Sequence, residues 1–149
     1  MKPFLILICI FILAAILTRF FSGCFDYKFS GKIALAVMLI FTGVGHFAFT
    51  KGMAMMLPGF LPFRVEVVYL TGLLEILAAI AIFFPSLRFL AGCLLIAFFI
   101  IVLPANIYAS WKGIDYRTGE VGGHGLYYLW FRIPFQILLI AWTYFFVLR

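Results

Sequence analysis

Charge is what this sequence has least of. Lysine and arginine together number 11, aspartate and glutamate 5, and charged residues make up 11% of the 149 residues. A soluble domain carries about 25%. No water-facing globular surface can be built from so few charges, so a chain that is 67% hydrophobic must take lipid as the solvent for most of its exterior. The net charge of +6 is spread through the short stretches between apolar runs, with no basic cluster. That distribution reads as headgroup contact and topology marking, and nucleic acid is not an expected partner.

Cysteine and histidine are nearly as scarce. Cys9, Cys24 and Cys93 stand on separate segments with no CxxC pair, which argues against a thiol relay and leaves them as small apolar fillers. Two histidines on different segments, with no cysteine cluster, disfavour haem and iron–sulfur ligation. No nucleophile–base pair, phosphate loop or zinc motif is visible. Ser22, Ser30, Ser86 and Ser110 have no histidine at a workable spacing. The chain therefore carries no self-contained catalytic motif, and it shows no internal repeat of the kind that marks many transporters.

Long apolar runs are present instead. The predicted fold is all-α, a polytopic membrane helix bundle forming a single domain over residues 1–149. Spans of roughly 20 residues, the length a ~30 Å hydrocarbon core demands, are predicted at 3–20, 29–50, 64–84, 87–109 and 126–148. The first is read as a retained helix in preference to a signal peptide. Between the second and third spans lies KGMAMMLPGFLPF (residues 51–63), where Pro58 and Pro62 oppose a regular helix and an interfacial segment is expected. Residues 110–125 form the one polar loop. Lys2, Lys51, Arg64, Lys112 and Arg117 on one face balance Arg19, Lys28, Lys32, Arg88 and Arg149 on the other. The basic residues that follow the first span tip the orientation toward an outside N-terminus.

Glu75 lies in the middle of the third span, in TGLLEILAAIAIF. A charge at that depth costs on the order of 2.5–3.5 kcal/mol by insertion scales, so other parts of the fold must answer it. The candidates are His46, Asn106, Arg132 and Gln136. At ~1.5 Å per residue, His46 and Arg132 lie about 6 and 9 Å in from one face, with Glu75 and Gln136 roughly 15–17 Å down. All five fall in the same half of the bundle. Arg132 and Gln136 are i and i+4 and share a helix face, as do Thr42 and His46. Arg132 is the natural partner for Glu75, because a guanidinium forks to a carboxylate. Pro104 and Pro134 free the carbonyls of Ile100 and Trp130, and Asn106, Gln136 or water can supply donors. The resulting expectation is a one-sided pocket that binds a polar headgroup or passes protons. Its rival is a closed network that only sets helix register.

Five stretches then carry a resemblance: GVGHF around His46, MLPGFLP, TGLLEILAAIAIFFPSLR around Glu75, LPANIY around Asn106, and RIPFQILLIAW around Arg132 and Gln136. In this order they resemble the DoxX family of small membrane proteins. The resemblance implies a four-helix core from Gly31 to the C-terminus with one extra leading helix. It also implies a link to quinone-based membrane redox chemistry, with quinone as a possible cofactor. The basic turn usual after the third span is represented here by Arg88 alone. His46, Glu75, Asn106, Arg132 and Gln136 become the candidate ligand-binding residues.

Three functions emerge as expectations. The first is an accessory or quinone-binding component of a membrane redox system. The second is a non-enzymatic assembly factor or scaffold that grips a client protein. The third is a small-solute or metal carrier, in which Met53, Met55 and Met56 beside His46 and His124 offer soft ligands. The expected setting is a bacterial inner (cytoplasmic) membrane, with the lipid bilayer, a redox partner or client and a homo-oligomer as expected partners.

Overall fold

The computed structural model describes residues 2–113 and 125–149, and every described element is a helix. In chain order they are α1 (Lys2–Ser22), α2 (Tyr27–Ala48), α3 (Thr50–Met56), α4 (Arg64–Ala81), α5 (Pro85–Lys112) and α6 (Gly125–Thr143), the last widening into a π-turn over Tyr144–Leu148.

The boundaries follow local chemistry. Asp26 caps α2 by accepting from the Phe29 amide at 2.9 Å, satisfying one of the donors that a helix start leaves open. Pro85 opens α5, where a missing N–H costs nothing. Gly113, in the left-handed conformation at φ +64°, closes it. Residues 51–63 differ from expectation: a short helix, Thr50–Met56, forms first. Both prolines lie beyond its end, so neither removes one of its hydrogen bonds. Likewise α5 runs on to Lys112, into the stretch expected to be loop; residues 114–124, with Asp115, Arg117, Glu120 and His124, lie outside the described residues.

Among the described residues four helices are long and apolar enough to cross a membrane: Lys2–Phe21, Tyr27–Ala48, Pro85–Lys112 and Leu129–Leu148. Their outward faces carry large apolar side chains such as Phe20, Phe89 and Ile101, which lipid accepts and water would not. The 18-residue α4 holds three charged residues, Arg64, Glu66 and Glu75, and is not among the four.

Within the bundle, α2 is the hub, packing along both α1 and α4, while α5 pairs with α6. Aromatic pairs Phe4–Phe135 and Phe11–Trp142 hold α1 against α6 in parallel. Buried Leu35, Met38, Leu39, Ile82, Leu95 and Leu139 form the core. Close approaches need glycine. A Cβ on Gly43 would stand 2.7 Å from Ile76 Cγ1, and one on Gly72 would stand 2.7 Å from His46 Cβ, with each glycine's Cβ 3.0 Å from the other's carbonyl oxygen. The α2–α4 crossing is therefore backbone against backbone, the arrangement small residues allow in membranes.

Candidate functional site

That crossing places the first half of the site. His46, one turn beyond Gly43 on α2, meets Glu75, one turn beyond Gly72 on α4. Their closest atoms, Nδ1 and Oε2, are 3.7 Å apart. The Nδ1 also lies 2.9 Å from the Thr42 carbonyl oxygen. A carbonyl only accepts, so Nδ1 carries a proton and donates it there. The Thr42 hydroxyl is turned back to its own helix, on the carbonyls of Met38 and Leu39 at 3.1 Å. Glu75 is buried, and among the described residues its Oε2 has no hydrogen-bond partner.

The second half joins α5 to α6. Arg132 Nη1 donates to Asn106 Oδ1, Asn106 Nδ2 donates to Gln136 Oε1 at 3.3 Å, and Gln136 Nε2 donates to the Phe99 carbonyl oxygen. The carbonyl expected to need a donor was that of Ile100, one turn before Pro104. The buried Gln136 serves its neighbour Phe99 in the same disturbed turn. Each amide in this chain both gives and receives, so little of it is left over for a ligand.

The expected Arg132–Glu75 pair does not form. Glu75 pairs with His46 and Arg132 with Asn106, because α4 packs mainly on α2 and α6 mainly on α5, and the two helix pairs touch far less at the level of these residues. At that level a cavity of about 420 Å³ lies between them. All five candidate residues, His46, Glu75, Asn106, Arg132 and Gln136, line it. The rest of the wall is largely apolar, with Leu39, Phe98, Phe131, Phe135 and Leu139. Its lining comes from the start of α1, α2 from Met38 on, α3, α4 from Val67 to Glu75, α5 from Phe98 to Asn106 and α6 from Phe131 to Leu139. Outside the cavity the buried Ser30 and Thr143 hydroxyls are satisfied within the chain, by the carbonyls of Asp26 and Leu139.

Met53 and Met56 of α3 reach the cavity, whereas Met55 is exposed. Among the described residues no three or more His, Cys, Asp or Glu side chains are grouped so as to hold a metal ion. The cysteines are all exposed and stand on α1, on the turn after it and on α5. Sequence reasoning missed Lys2 and Pro3, which line the cavity from the start of α1. No local signal marks them, since the apolar periodicity of the first helix says nothing of which neighbour it meets.

No curated protein and no solved structure matches the chain. A family model described as a domain of unknown function, DUF8561, matches residues 35–147. The matched stretch begins inside α2, leaves α1 outside and includes all five polar residues of the cavity. The chain thus belongs to the DUF8561 family.

Proposed function

We propose that the protein binds the ring of a lipophilic molecule of the quinone class in this cavity, as an accessory component of a membrane redox system. One observation carries the reading: Glu75 lines a largely apolar cavity, and its buried Oε2 has no hydrogen-bond partner among the described residues. An unsatisfied buried polar group costs about 1–3 kcal/mol, more if charged, and a site that bears such a cost without a ligand gains nothing for it. At about 420 Å³ the cavity is within the range of small-molecule sites, which are mostly apolar with a few convergent polar groups. Arg132 on the far wall supplies a permanent donor for a second ring oxygen. The resemblance to the DoxX family supports the redox setting.

In this reading α4 is a fifth span. Its 18 residues rise about 27 Å, and its deepest charge turns inward to the cavity rather than to lipid. The N-terminus is outside, so the cavity mouth faces the outer side of a bacterial cytoplasmic membrane, where a redox partner or a second copy of the chain can meet it.

A scaffold role is the second reading. The Arg132–Asn106–Gln136–Phe99 chain favours it, since those hydrogen bonds tie α5 to α6 and need no ligand. The two readings separate at Glu75. Native mass spectrometry of protein taken from its own membrane is expected to find a bound quinone, absent from Glu75→Leu. A folded protein carrying no lipophilic ligand, and failing to bind added decylubiquinone, sinks the first reading and leaves the second.

A further inference from the structure

We propose that Glu75 is the group by which this site tells the carbonyl form of the ring from its hydroxyl form, donating to the first when protonated and accepting from the second when ionised. The inference rests on the quinone reading above and adds to it the chemical basis of selection between the two redox states.

The geometry narrows this role to two titratable side chains and favours one of them. Asn106 and Gln136 are engaged with each other, with Arg132 and with the Phe99 carbonyl. The Nδ1 proton of His46 is held on the Thr42 carbonyl. Arg132 is a donor at any accessible pH and cannot accept. His46 can change between lone pair and proton only at Nε2, whereas Glu75 lines the cavity nine-tenths buried, with an Oε2 that has no hydrogen-bond partner among the described residues, and its carboxyl can present either a proton or a lone pair. The titratable or charged groups sharing its cavity are His46 on α2, Lys2 on α1 and Arg132 on α6; α5 presents Asn106, and α3 presents Met53 and Met56.

Linkage gives this role a pH signature. The carbonyl ring needs the proton on the carboxyl, so its affinity scales with the protonated fraction. The hydroxyl ring supplies its own proton and needs the carboxylate, so its affinity scales with the ionised fraction. The ratio of those fractions changes tenfold per pH unit whatever the pKa of the group. The preference for the reduced ring therefore climbs steadily with pH, toward that limit.

The test measures the dissociation constants of decylubiquinone and decylubiquinol for the full chain in lipid nanodiscs, under anaerobic conditions, from pH 6 to 9. In the wild type the ratio of the quinone constant to the quinol constant is expected to rise toward tenfold per pH unit. Glu75→Gln, whose amide offers a donor and an acceptor at every pH, is expected to bind both rings with a flat ratio. His46→Gln is expected to keep the slope. A flat ratio in the wild type overturns the inference while leaving ring binding intact, as does a slope that survives in Glu75→Gln. Failure of the wild type to bind either ring overturns the quinone reading and this inference together.

Discussion

His46 Nδ1 and Glu75 Oε2 stand 3.7 Å apart across the crossing of α2 and α4, and two glycines, more than any attraction between the side chains, set that separation. Gly43 and Gly72 let the helix backbones touch, with no room for a Cβ on either. The pair is a consequence of packing, which also left Glu75 Oε2 buried without a hydrogen-bond partner among the described residues.

Gly72→Ala is expected to force the helices apart. Its new methyl would meet His46 Cβ at 2.7 Å and the Gly43 carbonyl at 3.0 Å, neither of them the movable tip of a flexible chain. Overpacking of this kind costs about 1–3 kcal/mol. Gly45→Ala is the matched control, since its Cβ would meet only Met53 Cε at 4.0 Å. Thermal unfolding in detergent should separate the two variants, and equal midpoints would refute the account of the crossing.

Glu75→Leu should stabilise the protein while removing ligand binding. Leucine is close in size and brings no unpartnered oxygen, so about 1–3 kcal/mol is recovered. A gain in stability with a loss of ring binding is the pattern of a residue kept for function. If the variant is instead destabilised, the carboxyl is holding the bundle together.

The α5–α6 hydrogen bonds predict a coupled pair. Asn106 Nδ2 and Gln136 Oε1 are 3.3 Å apart, and interhelical bonds in membranes contribute roughly 0.6–2 kcal/mol. Asn106→Ala and Gln136→Ala should therefore cost less together than the sum of each alone, by a coupling of that size in a double-mutant cycle. Additive losses would mean that the two amides act separately.

Five spans with an outside N-terminus predict opposite labelling of two sites. In a background with the native cysteines replaced, Lys51→Cys should react with a membrane-impermeant maleimide in intact cells. Arg88→Cys, beyond the other end of α4, should react only once the membrane is opened. Labelling of both from one side would show that α4 does not cross.

Much of the site could be read from the chain because depth in a bilayer is nearly a one-dimensional quantity. Counting residues from the ends of apolar runs is enough to place Glu75, His46, Asn106, Arg132 and Gln136 in one half of the bundle, and all five line one cavity. Which of them touch could not be read this way. Charge alone points to the arginine as the acid's partner, yet Arg132 bonds Asn106 and Glu75 pairs with His46. Contact depends on which helices are neighbours, and hydrophobic periodicity is blind to that.

Composition and the spacing of prolines and apolar runs determined that this is a lipid-solvated helical chain with polar side chains at one end, because each of those properties is local. Tertiary packing alone decided that α2 grips α4 through two glycines, that α5 grips α6 through amides, and that the start of α1 closes the gap. Those choices depend on shapes meeting across the bundle, and among the described residues they left one buried carboxylate oxygen of the cavity-lining Glu75 without a hydrogen bond.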